Sequence, residues 1–176
     1  EVNTAVGYAA MSLNTTGTYN TAVGAYALDA NTDTSNNVAI GYNALTANDA
    51  HNNTAVGFEA LDTNSTGTRN TSVGSQSMAT NSTASDNTAV GYDALRLNTT
   101  GIKNVAVGSY ALDANTTGTQ HVAVGFGAAG AVTTANSLTA IGFQALLAST
   151  SGSDNSAVGE NTLYSCTTGS NNTGVG

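Results

Sequence analysis

This sequence has no proline, no tryptophan, a single cysteine and few charges, which make up 8% of its 176 residues. With Cys166 alone, the chain can close no intrachain disulfide and build no cysteine-based zinc cluster, so this residue reads as a small packed side chain. Bases are scarcest: Arg69, Arg96 and Lys103 stand against eleven acids, giving a formal net charge of −8. A surface of that sign repels a phosphate backbone, and nucleic acid is not an expected partner. No window approaches the roughly 18 consecutive apolar residues of a membrane-spanning helix, so membrane insertion is not expected either.

What remains is mostly Ala, Thr, Asn, Gly, Val and Ser, and their order is nearly periodic. A glycine preceded by Val or Ile recurs from Gly7 to Gly176, with nine of the ten intervals equal to 17 residues and one, Gly41 to Gly57, equal to 16. The missing residue falls within Asn48–Asn52, where a turn absorbs it. Aligned on the glycine, the unit reads approximately Asn-Thr-Ala-Val-Gly-Tyr-x-Ala-Leu-x-Ala-Asn-Thr-Thr-Gly-Thr-x. Repeats of this length that cannot each enclose a core are the signature of a solenoid. The whole chain, 1–176, reads as one repeat domain, and we expect it to be an uncapped segment of a longer fibre or filament.

Helix is excluded by glycine, asparagine and β-branched residues recurring in every unit. Thr-Ala-Val-Gly-Tyr has the period of two and the branched content of a short strand, and Ala-Leu-x-Ala suggests a second, weaker one. Asn-Thr-Thr-Gly supplies turn chemistry. The expected fold is all-β, a parallel β-solenoid or β-roll of about ten 17-residue coils, each with two short strands and two turns. Successive coils about 4.8 Å apart lay equivalent residues over one another.

Three columns follow. Val6, Val23, Ile40, Val56, Val73, Val90, Val107, Val124, Ile141 and Val158 contain no polar exception, and we expect them to form the core. Leu28, Leu45, Leu61, Leu95, Leu112, Leu146 and Leu163 form a second apolar column. Tyr8, Tyr26, Tyr42, Phe58, Tyr92, Tyr110, Phe126 and Phe143 place nearly one ring on each coil, a stripe suited to an intersubunit belt or to stacking a glycan. Asparagines at the unit starts (Asn3, Asn20, Asn37 and onward) and in the turns (Asn14, Asn31, Asn48 and onward) can stack as amide ladders.

Chemistry has little to stand on. His51 and His121 occupy different slots and read as replacements for turn or ladder residues. Asp29, Asp62 and Asp113 share a slot on separated coils, which does not pair carboxylates for catalysis. We expect no catalytic residues, no metal and no cofactor, hence no enzyme.

Asn-Thr-Ala-Val-Gly-Tyr followed by Ala-Leu resembles the repeats of bacteriophage tail-fibre proteins and, more distantly, the Ala-Ile-Gly repeats of the YadA-like heads of trimeric autotransporter adhesins. The resemblance covers the whole chain, although the 17-residue unit is longer than the adhesin-head unit. It implies a left-handed β-roll, a homotrimer with the Val6 column as core, an extracellular place on a virion tail fibre or cell surface, and a role in attachment to a cell-surface glycan or receptor. Two other readings stand beside it: an extracellular filament subunit assembling end to end, and an ice-binding solenoid built on the regular threonine columns.

Overall fold

The computed structural model describes residues 2–176. Its eleven strands are β1 Thr4–Val6, β2 Thr21–Val23, β3 Val38–Ile40, β4 Thr54–Val56, β5 Thr71–Val73, β6 Thr88–Val90, β7 Val105–Val107, β8 Val122–Val124, β9 Thr139–Ile141, β10 Ser156–Val158 and β11 Thr173–Val175. They form one parallel sheet in chain order, with no helix among the described residues. Each strand pairs in strict register with the equivalent residues of the next, as in Thr4↔Thr21, Ala5↔Ala22 and Val6↔Val23. The chain is a β-solenoid of about ten coils, and we number each coil by its strand. At the general strand spacing the rod is about 48 Å long.

The short interval leaves the register intact, with Val38↔Thr54 and Ile40↔Val56 still opposed. The turn absorbs it: Asn48 Nδ2 donates to the Ala50 carbonyl two residues on, where Asn64 and Asn98 reach the carbonyls of Gly67 and Gly101 three residues on.

One strand per coil is found, not two. The Ala-Leu-x-Ala stretch is a turn because its leucine and the residue just before the stretch are left-handed: Tyr26 and Leu28 have φ of 58° and 54°, and Asn43 and Leu45 both have 53°. Alternating handedness forbids an extended strand. Its backbone still bonds from coil to coil, with Leu28 N–H to the Ala44 carbonyl at 3.0 Å and Ala30 N–H to that of Thr46 at 3.2 Å. A left-handed non-glycine residue costs about 1–2 kcal/mol, which these bonds and the burial of leucine offset.

The recurring glycine is required twice over. Gly24 has a φ of 137°, and a Cβ there would lie 2.6 Å from the Gly41 carbonyl carbon. A side chain at this slot would push the coils apart.

The core also differs from the expectation. Within each strand, alternation sends the first and third residues to one face and the second to the other. The inward residue is alanine: Ala22, Ala39, Ala55, Ala89, Ala106, Ala123, Ala140 and Ala157 are fully buried, with Ser72 in the same column. Across the interior lie Leu28, Leu45, Leu61, Leu95, Leu112 and Leu146, fully buried, with Leu163 packed at the margin. Val6, Ile40, Val90, Val124, Ile141 and Val158 are exposed instead, and Val23, Val56, Val73 and Val107 are half-buried on the same outer face. The interior is only as thick as a methyl group facing a leucine. A branched side chain does not fit there, so the valine column is not the core of this chain.

Two asparagine ladders complete the interior. In the first, each Oδ1 accepts the backbone N–H of the asparagine one coil on, as with Asn37 N–H to Asn20 and Asn70 N–H to Asn53 at 2.9 and 3.0 Å. In the second, amides bond directly: Asn81 Nδ2 to Asn64 Oδ1 at 2.9 Å, Asn98 to Asn81 at 3.0 Å and Asn115 to Asn98 at 2.9 Å. Both ladders are interrupted together, and the first resumes at Asn155, whose Oδ1 accepts the Asn172 N–H at 2.9 Å. Val132 follows Asn115 and Leu138 follows His121 in their columns, and with Ala135 they are buried, so an apolar plug replaces both.

Candidate interaction surface

The outward sheet face is built from two columns per coil, the threonine and the valine that flank each buried alanine. Threonine gives way only to Val38, Val105, Val122 and Ser156, and the second column holds only Val and Ile. No charged side chain occurs in either column, although the chain carries eleven acids and three bases. Among the described residues the charges lie on the turns. Arg69 and Asp86, on neighbouring coils, are paired there at 2.6 Å.

Just past the glycine, the aromatic rings adjoin this face. Tyr8, Tyr26, Tyr42 and Phe58 make one continuous ladder, with ring centroids 5.4, 6.0 and 5.6 Å apart and interplanar angles of 80°, 89° and 12°. Tyr92, Tyr110, Phe126 and Phe143 make a second with centroids 5.4, 5.6 and 5.6 Å apart and angles of 76°, 74° and 13°. The geometry is the same in both: two edge-to-face contacts, then one offset stack. The ring moves from the slot after the glycine to the next one, at Tyr26 and again at Tyr110, and this turns the second ring against its neighbours. Coil 5 carries Ser75 and Gln76 in these slots and coil 10 carries Glu160 and Asn161, so each ladder is followed by a ringless coil. The surface therefore repeats every five coils, a period carried by the ring swap and the ringless coils and hidden beneath the more obvious 17-residue unit.

Within each ladder every ring packs on its neighbours, four of the six contacts edge to face and two stacked, so the rings form two contiguous apolar bands.

Burial raises the carboxyl pKa of Asp29, Asp62 and Asp113, and that of Asp93, whose Oδ2 lies 3.6 Å from Arg96 Nε. His51 is exposed on a turn and its Nδ1 accepts the Ser35 N–H at 2.9 Å. His121 is buried in the first asparagine ladder, and desolvation lowers its pKa to about 4. Among the described residues no three His, Cys, Asp or Glu side chains are placed to hold a metal ion.

No protein family, curated protein or solved structure matches the chain.

Proposed function

We propose that this chain is a structural and adhesive fibre segment, part of a phage tail fibre or a surface adhesin, working outside the cell. Copies bury their threonine–valine faces and ring ladders against one another, most simply as the parallel homotrimer that the repeat resemblance implies, and leave the Thr-, Ser- and Asn-rich turns outward. These turns repeat on every coil, so weak contacts to a host glycan or receptor add up along the rod. No catalysis is involved.

One observation carries the reading: a threonine–valine face with no charged side chain, flanked by the two ring ladders, makes a strip along a rod that is otherwise acidic. Monomeric proteins seldom expose contiguous apolar patches beyond about 300–600 Å². The strip, about 48 Å long and on the order of 16 Å wide with the rings, reaches 700–800 Å² by strand geometry, close to the ~800 Å² per partner of a stable interface. Light scattering on the purified chain tests it. A discrete oligomer of fixed mass supports the fibre segment, open-ended growth favours the end-to-end filament, and a monomer rejects both.

The same face supports a second reading. Thr and Val columns at the regular spacing of parallel strands form an ordered array of the kind ice binding would use. Thermal hysteresis from a monomeric rod would favour it, and its absence removes it.

A further inference from the structure

The two ring ladders and the ringless coils that follow them address a problem every repeat fibre faces. The valine column looks alike on all coils, so two rods packed by this column alone can slide by one coil with little change in contact. We infer that the ladders dock onto the ladders of a second copy of this chain, and that the polar coils at Ser75–Gln76 and Glu160–Asn161 fix the axial register of the assembly. This rests on the self-assembling rod proposed above and adds which register it takes.

Three features make a second copy the fitting occupant. Two four-coil ladders of rings border the uncharged face, and the combined strip has the area of a stable contact between copies. Within each ladder the rings pack on one another, so what they offer is a contiguous apolar band, which suits another packed array of rings. The five-coil period also gives a copy something to read. With rods level, rings meet rings and polar coils meet polar coils. A slide of one coil sets Phe58 against Ser75 and Gln76, and Phe143 against Asn161 and the carboxylate of Glu160. Only a slide of five coils restores the match, by laying the first ladder on the second. Strand registers are held by the same logic wherever a slip would misplace apolar side chains.

Cysteine pairing reads the register directly. Ser75 and Ser109 occupy the same slot on coils 5 and 7, neither carries a ring, and both are partly exposed. Full-length chains bearing Ser75→Cys and Ser109→Cys, each with Cys166→Ser, are co-expressed and oxidised, and the linked peptides are quantified by mass spectrometry. Level rods give 75–75 and 109–109 products, with the 75–109 product at least about tenfold weaker, a bias of ~1.4 kcal/mol. Replacing Ser109→Cys by Glu160→Cys yields more 75–160 than 75–109 product, reporting the five-coil offset. Equal amounts of 75–75 and 75–109 product would overturn the register function. So would a discrete oligomer with no linkage at any of these positions, which would leave the fibre reading standing. A chain that scatters light as a monomer overturns both.

Discussion

The imidazole Nδ1 of His121 accepts the backbone N–H of Leu138 at 3.2 Å, the part that Asn104 Oδ1 plays for the N–H of His121 at 3.0 Å. A neutral ring thus imitates a carboxamide within the first ladder. It can do so only with Nδ1 unprotonated, and protonation would set two N–H groups against each other in a buried place.

The pH dependence follows from this. His121 takes up a proton near pH 6.5 when unfolded but only near pH 4 in the rod, because burial disfavours the cation and the Ala135 carbonyl opposes this only in part. Between these values the unfolded chain binds more protons. The stability is therefore complete above pH 6.5, falls as pH drops towards 4 and levels off below, a loss of about 3 kcal/mol. Asp29, Asp62, Asp93 and Asp113 act in the opposite sense, since burial raises their folded pKa and acid relieves their desolvation. The variant His121→Asn keeps those carboxyls and restores the ladder, so it isolates the histidine. Urea unfolding at pH 7.5 and 4.5 is expected to show its advantage over the natural chain growing at the lower pH; an equal difference at both would refute the mechanism.

A single amide in the second ladder is expected to matter as much. Asn81 is fully buried, donates to Asn64 Oδ1 and to the Ala84 carbonyl, and accepts from Asn98 at 3.0 Å. Asn81→Ala leaves these groups without a partner where water cannot reach, costing about 2–3 kcal/mol. Asn81→Asp costs more, because it adds a buried charge. Thermal unfolding of the two variants checks both the size and the order.

The 17-residue repeat was enough to read the coil, the stacking, the leucine column and the asparagine ladders, because each depends on spacing and residue type alone. Which side of the strand faces in was not legible. Thr-Ala-Val alternates in either sense, and the greater hydrophobicity of valine points inward until the thickness of the interior is known. Ala-Leu-x-Ala misled for a related reason: left-handed φ at Leu28 and Leu45 is a conformation that leucine does not favour, adopted because the coil above and below supplies the hydrogen bonds. The five-coil period was within reach, in the displacement of the ring from the slot after the glycine at Tyr26 and Tyr110.

Neighbouring residues of one strand separate the two faces. Ala106 is fully buried, whereas Val107 beside it is half-buried on the outer face. Ala106→Asp forces an unpaired carboxylate into an interior with room for a methyl, and the chain is expected to lose its cooperative unfolding transition. Val107→Asp keeps that transition within about 1 kcal/mol of the natural chain, but places a charge in the uncharged strip and shifts the chain towards monomer. Circular dichroism melting and light scattering on the pair check this. Equal damage from both would return the valine column to the core.

Two glycines carry opposite expectations. Gly91 has a φ of 138°, and a Cβ there would sit 2.6 and 2.7 Å from the carbonyl carbon and oxygen of Gly108. Gly91→Ala therefore combines a strained backbone with a collision against backbone that cannot yield, a loss of about 3 kcal/mol or more. Gly127 has a φ of 61°, close to the 58° of Tyr26 and 55° of Asp93 in the same slot, and its Cβ would meet only the side chains of Gln144 and Leu147, at 3.5 Å. Asparagine tolerates this conformation, so Gly127→Asn leaves the fold intact and gains about 0.4–1 kcal/mol by restricting the unfolded chain. Denaturant midpoints for the two variants are expected on opposite sides of the natural chain's. A Gly91→Ala rod as stable as the natural one would mean that the coils do not approach as closely at this column as the carbonyl of Gly108 requires.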